Sequence, residues 1–523
     1  MAPSDYTDKD QSEDMKVLHG MGYAQELSRS MSKFSNFAIS FSIICILSGG
    51  INSFPQAIGA VGGGGAGIGW IVGCLISAMF ALSMAQIASA FPTAGGLYHW
   101  ASILGNRFWG WLTAWLNLLG LITVLGAINI GTAFYLQGTF GATWFGMTTS
   151  PAWIVGVVTV ITIVQALFNH LGIKITTMLT DLSGYIIFAT TAVLILACLY
   201  YAPALDFSRL WTFKNYSGAA GGGVFPENTN MGYLFLLCLL LPLYTITGYD
   251  ASAHTSEETK GAATSVPKSI VSAVLWSSLI GWVMICAIVL AIPDLDVGAS
   301  QGFTVFFETM NTILPPTLKN IIYLGILITQ FLCGLATVTS ASRMLFAFSR
   351  DGGMPIGSKA LASVSPKYRT PVNSIWTASI LCILYVLAVS FIPVAGGSDF
   401  SLYFMVVNST LVFLFLSFVI PLIAGMFAYG TAKWPNPGPW AMSAGIYKLV
   451  TVLSIIGMAI IFYIAIQPPN DKVFVIVAGF IAIALVLWLL VENRRFEGPP
   501  TGERIAARKA TIAAAEKAVG QKG

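Results

Sequence analysis

The feature that most restricts this chain is a succession of apolar runs, each about 20 residues or longer, between residues 35 and 491. A run of that length crosses the bilayer core as a helix. Only 9% of the 523 residues are charged, against about 25% in a soluble domain. The sequence therefore describes an all-α polytopic membrane protein set in a lipid bilayer. Its net charge of +4 is small and gives no reason to invoke nucleic acid.

Twelve transmembrane helices are expected, near residues 35–60, 69–91, 108–138, 152–170, 175–201, 231–254, 269–293, 317–348, 372–394, 399–428, 444–467 and 472–491. They divide the chain into an N-terminal segment, 1–33, a transmembrane domain, 34–491, and a charged tail, 492–523. The first 33 residues are polar, and the apolar run that follows is long, so the first helix is expected to stay attached as a signal anchor. Lys and Arg gather on one set of connections, with Arg107, Lys174, Lys260, Lys268, Arg343, Arg350, Lys359, Lys367, Arg369 and Lys433. Arg29, Lys33, Arg494 and Arg495 flank the membrane near both ends. By the positive-inside rule both termini are cytoplasmic. The loop 202–230 is an exception, since it carries Arg209 and Lys214 on the opposite side. The expected location is a cell membrane, either a plasma membrane or a bacterial inner membrane.

The seven cysteines all lie inside apolar segments and form no CxxC pair, so they read as small hydrophobes rather than disulfides or metal ligands. Gly62 to Gly69 mimics the spacing of a dinucleotide fingerprint. No strand precedes it, and it joins two spans, so it is expected to be a turn. The sequence calls for no cofactor and singles out no obligate protein partner.

Two spans are interrupted. In span 6 an apolar run from Met231 to Ile246, with Pro242 inside, gives way to Thr247-Gly248-Tyr249-Asp250-Ala251-Ser252-Ala253-His254. A glycine, a carboxylate and an imidazole at membrane depth are expensive unless they line a cavity. In span 1 the run is interrupted by Ser48-Gly49-Gly50-Ile51-Asn52 and then Pro55. Taken alone, a Gly pair fits a tight helix contact as well as a break. Taken with span 6, it suggests two inverted repeats, about 34–201 and 231–428, followed by two extra helices at about 444–491. Half-helix amino ends attract an anionic group and half-helix carbonyl ends an ammonium. Two facing breaks therefore suit a small zwitterionic or cationic amine.

Four stretches, Gly22 to Leu27, Phe91 to Tyr98, Thr247 to Thr259 and Ser342 to Pro355, carry a family resemblance. Through them the sequence resembles the amino acid–polyamine–organocation permeases, in the amino acid/choline branch that includes GABA permeases and plant bidirectional amino-acid transporters. The resemblance spans nearly the whole length. It implies a LeuT-like five-plus-five inverted repeat with helices 1 and 6 broken, and secondary transport of amino acids or GABA by alternating access. It places the substrate carboxylate at Ser48, Gly49, Gly50 and Ile51, and the amine at Ile246, Thr247 and Gly248. Tyr244 takes the gating aromatic position and Asp250 the coupling position. Tyr249, Asn117 and Asn408 are further candidates for the cavity wall. His254 either caps the inner half-helix or pairs with Asp250. Glu257 and Glu258 either form a gate ion pair with Arg343 or make a solvated acidic turn.

One departure concerns coupling. Some relatives carry a Lys in span 5, and the corresponding position here is about Met178. Coupling is left open between a proton, through Asp250 or His254, sodium, for which Thr337, Thr339 and Ser340 offer oxygens, and uncoupled exchange. Choline, ethanolamine and polyamines remain alternative substrates. A nutrient sensor without net transport is the reading from another class. An enzyme is not expected, since no nucleophile–base pair or metal spacing stands out.

Overall fold

The structure is a computed structural model that describes residues 7–141, 150–390 and 399–519. Among the described residues the regular secondary structure is helical, and eleven helical segments are long and apolar enough to span a membrane. The sixth expected span is the exception. It begins as the short helices Met231–Cys238 and Leu240–Thr245, unwinds, and resumes as Ala251–His254. Pro242 gives part of the reason, since it leaves no amide to donate within the helix. Most boundaries lie within a few residues of expectation, for example Pro151–His170, Ile173–Tyr201 and Ala444–Ile466. Span 7 starts earlier, at Ala262, because Gly261 in the left-handed region turns the chain into it. Residues 391–394 of the expected ninth span lie outside the described residues.

Span 1 is composite. Helix Lys33–Ile44 stops at Cys45, whose φ of 30° is left-handed, and the chain restarts as Ile46–Asn52 and Phe54–Val61. The bend therefore falls three residues before Ser48, and the Gly pair itself is helical. The glycines serve close packing. A Cβ on Gly49 would lie 2.9 Å from the Thr245 Cα, and one on Gly50 would lie 3.1 Å from the Met284 Cε.

The Gly-rich stretch after span 1 is also not a simple turn. Gly65–Gly69 forms a wide helical turn that runs into helix Trp70–Ala90. The loop 202–230 lies directly on it. The Gly64 amide donates to the Thr212 carbonyl at 3.0 Å, and carbonyls of Arg209 and Leu210 occupy the space a Cβ would need at Gly63 and Gly67. Arg209 and Lys214 are spent in holding this loop down. The Arg209 guanidinium reaches the Ile292 carbonyl at 2.6 Å, and Lys214 Nζ lies 2.7 Å from Asp296. Their place on an otherwise charge-poor side thus has a local cause.

Helix Arg107–Leu136 and helix Asp399–Ala428 pack along each other and, with Pro316–Arg350, enclose the two broken segments. Helices Pro151–His170, Ile173–Tyr201 and Asp471–Leu487 turn large apolar side chains outward, where lipid meets them. Met178 is one of these, 63% exposed, so the position compared with the coupling lysine faces away from the interior.

Candidate functional site

The two breaks meet at the centre of the molecule. Gly248 has φ +84°, and a Cβ there would collide with Ile43. Only glycine combines that φ with so close an approach. The Ser40 hydroxyl donates to the Tyr249 carbonyl at 3.0 Å, and the Ser252 hydroxyl donates to the Asn36 carbonyl at 2.8 Å. The Asn36 amide in turn reaches the Ser252 carbonyl and the hydroxyls of Thr255 and Thr259, at 2.9–3.1 Å. Short polar side chains thus join Lys33–Ile44 to the chain 249–259, which has lost part of its helical bonding. On the other side of the breaks, Ile46–Asn52 lies against Leu240–Thr245 through Gly49 and Thr245. At the amino end of the former the Ser48 and Gly49 amides reach the Cys45 carbonyl, at 2.8 and 3.0 Å, and at the end of the latter the Pro242 carbonyl accepts the Ile246 amide at 2.8 Å. A helix amino end and a helix carbonyl end, of opposite partial charge, thereby lie side by side.

Ser48, Gly49, Gly50, Ile51, Tyr244, Ile246, Thr247, Gly248 and Tyr249 are all buried in this region. The Thr247 hydroxyl donates to the Tyr244 carbonyl at 2.7 Å and so closes the end of Leu240–Thr245. The Tyr249 ring packs on Phe418 with centroids 5.5 Å apart. Asn117 belongs with Asp250: its amide lies 3.2 Å from both the Asp250 carboxylate and the Ser417 hydroxyl. Asn408 is placed elsewhere. Its amide donates to Asn470 at 2.7 Å, which ties span 10 to the start of span 12.

Asp250 and His254 are fully buried, with the carboxylate 3.3 Å from the ring Nε2. The other ring nitrogen, Nδ1, lies 3.1 Å from the Ala94 carbonyl. A carbonyl only accepts, so Nδ1 carries a proton. The ring Nε2 and the carboxylate Oδ1 have no hydrogen-bond partner within the protein.

On the face that carries both chain ends, Glu258 and Arg343 form a forked ion pair at 2.9 and 3.0 Å, with both side chains completely buried. Glu257 makes a second fork, at 2.8 and 3.0 Å, with Arg350. The Oε1 that takes the shorter of these bonds also accepts the Ala94 amide at 3.0 Å. The expected pair between this acidic turn and Arg343 is present, and the turn is not solvated. The role of Arg350 was not legible from sequence, where it reads as an interfacial anchor. In the fold its guanidinium also lies 3.9 Å above the Tyr23 ring. Chain ends close over these pairs: Met31 and Thr259 bridge, Arg495 reaches the Gly352 and Gly353 carbonyls, and Glu516 accepts the Gln25 amide. On the opposite face a cavity of about 150 Å³ is lined by Ile51, Asn52, Gly131, Tyr135, Phe307 and Tyr403. Buried ion pairs thus lie on the terminal face of the breaks, and a cavity beside Ile51 and Asn52 lies on the other.

Asp181 finds one partner, the Ser35 hydroxyl, at 3.0 Å. The Thr339 hydroxyl donates to Asn169 at 2.7 Å, and that of Thr337 donates to the Cys333 carbonyl at 2.9 Å. Both are therefore engaged in helix contacts. Among the described residues there is no group of three or more His, Cys, Asp or Glu that would hold a metal ion.

Residues 31–491 match the family described as amino acid permease. The chain is 32% identical over 511 residues to the amino-acid permease BAT1 of Arabidopsis thaliana, covering 92% of this chain and 95% of that protein. It is 30% identical to the BAT1 homolog of Oryza sativa subsp. japonica, over 92% and 95% of the two chains. The GABA-specific permease of Saccharomyces cerevisiae is 29% identical over 383 residues, 70% of this chain and 65% of that protein.

Proposed function

This chain belongs to the amino acid permease family, and we propose that it moves small amino acids, GABA among them, across a cell membrane by alternating access. The observation that carries the mechanism is the meeting of two buried backbone breaks, at Cys45 and at Ile246–Asp250, within one helical bundle. A substrate carboxylate would lie near the amino end of Ile46–Asn52, beside Ser48 to Ile51. The ammonium would lie near the carbonyls of Tyr244 to Thr247. Neither end then needs a formal protein charge.

In this reading the terminal face is cytoplasmic, and the pairs Glu258–Arg343 and Glu257–Arg350 are the inner gate in its closed state. The cavity beside Tyr135 and Tyr403 is the outer approach, and Tyr244 stands between it and the breaks. The buried Asp250 and His254 are the candidate coupling residues, with Asn117 fixing the carboxylate. Gain or loss of a proton there would alter the contacts of the inner half-helix, which carries both residues. Two halves, about 34–201 and 231–428, would move against each other, with the last two spans as an addition.

The test is counterflow in proteoliposomes with labelled amino acids and GABA, under imposed proton or sodium gradients. Uptake of a zwitterion that requires trapped unlabelled substrate supports the reading. Saturable binding without flux under any gradient would replace it with that of a sensor.

A further inference from the structure

Gln330 lies in the middle of helix Pro316–Arg350 and is completely buried. Neither its carboxamide oxygen nor its nitrogen has a hydrogen-bond partner. It is the only buried carboxamide among the described residues with both ends unsatisfied. The neighbouring buried amides are satisfied. Asn129 bonds Thr162 and Gln165, Gln165 bonds the Phe331 carbonyl, and Asn169 bonds the Leu335 carbonyl. A primary amide kept out of water with nothing to bond is destabilising, and such a group usually has a purpose outside the fold itself.

Its direction follows from its helix. At about 100° per residue, Cys333 falls about 60° to one side of Gln330 and Gly334 about 40° to the other. The Cys333 thiol donates to the Ile43 carbonyl at 3.2 Å, beside the break at Cys45. A Cβ on Gly334 would collide with Gln165 on helix Pro151–His170 and lie 2.7 Å from Asn129 on helix Arg107–Leu136. Gln330 therefore points between the span 1 break and the place where those two helices meet. Seven residues earlier, about 10 Å along the same face, Tyr323 packs edge-on against Tyr135, with centroids 5.9 Å apart. Tyr135 lines the outer cavity. The hydroxyls of Tyr323 and Tyr135 are also unsatisfied. Neutral hydrogen-bonding groups thus run from the cavity towards the breaks along one wall.

We propose that Gln330 reads the side chain of the transported amino acid and selects an uncharged, hydrogen-bonding one over an apolar one of the same shape. The inference rests on the transport reading above. A carboxamide donates and accepts but carries no charge, so it complements a hydroxyl or another amide. Facing an aliphatic side chain, it would stay unsatisfied in the loaded state, and that mismatch is the source of discrimination.

The experiment is competitive counterflow in proteoliposomes with shape-matched pairs, asparagine against leucine and threonine against valine. The parent protein is expected to favour the polar member at least tenfold, the worth of about one buried hydrogen bond. Gln330→Met keeps the volume and removes the polarity. It is expected to bring the ratios to within about threefold while flux of leucine and valine persists. If Gln330→Met does not reach the membrane, Gln330→Glu serves, with an expected shift towards lysine over norleucine. A parent without polar preference, or a variant with the parent's ratios, overturns the proposal. A parent that moves no amino acid refutes the transport reading itself.

Discussion

Replacing Glu258 by Gln tests whether the buried pair with Arg343 is what holds the terminal face shut. At 2.9 Å and an effective dielectric of about 20, the attraction is about 5–6 kcal/mol before desolvation. Both side chains are completely buried, so removing one charge strands the other. That typically costs about 3–5 kcal/mol. In an inward-open state water would reach Arg343 and the cost would fall away. The substitution therefore shifts the equilibrium towards the open state by most of that amount, two to three powers of ten at about 1.4 kcal/mol each. Ser256 is a suitable reporter, since it is buried beside the pair and its hydroxyl bonds to nothing. In a Ser256→Cys background, labelling by a membrane-impermeant maleimide from the inner side should speed up at least tenfold on adding Glu258→Gln. Protein with serine kept at 256 corrects for the native thiols. Adding Arg343→Gln should restore slow labelling, because a neutral pair strands no charge. Unchanged labelling in Glu258→Gln would refute the gate argument. So would fast labelling in the doubly neutral protein.

Three further outcomes are expected. Gly248→Ala forces a side chain into the left-handed region, at about 1–2 kcal/mol, and against Ile43; transport should fall at least tenfold, and Ile43→Ala should recover part of it in uptake assays. Asp250→Asn removes the carboxylate that lies 3.3 Å from the His254 ring, so the pH dependence of uptake should flatten; an unchanged profile would take the pair out of coupling. Hydrogen bonds from Lys214 and then Tyr216 hold Asp296 below the usual carboxylate range. A lowered folded-state value means that its contribution is present above the unfolded carboxylate value, about 3.9, and is lost as pH falls through the lower folded one. Proteolysis of the 202–230 loop by an acid-active protease should accelerate across that window, and Asp296→Asn should remove the step.

Much of the fold was legible because hydropathy is a local property. Eleven of the expected spans appear as long apolar helices, and the sixth is interrupted where Gly248 and Asp250 signal it. The site was legible less evenly. The Gly pair in span 1 carried two meanings, break and close packing, and sequence weighed them together with span 6. The fold gives packing to Gly49 and Gly50 and puts the break at Cys45, a residue with no turn propensity of its own. Asn117 joins Asp250, whereas Asn408 binds Asn470, yet both are single asparagines in apolar helices. Nothing near either residue in the chain distinguishes them.

The sequence by itself determined that the chain is a bundle of spanning helices, that one of them must open near Asp250, and which family it belongs to. Lipid enforces the first two, since backbone polar groups must be satisfied within each span and buried polar residues need a cavity. Tertiary structure alone decided how the charges and amides are paired. Arg350 pairs with Glu257 because that turn lies against it, and the rotation of the helix that carries Gln330 is fixed by the contacts of Cys333 and Gly334. Those pairings join residues far apart in the chain, and the energy of a buried charge or amide is set by what packing brings beside it.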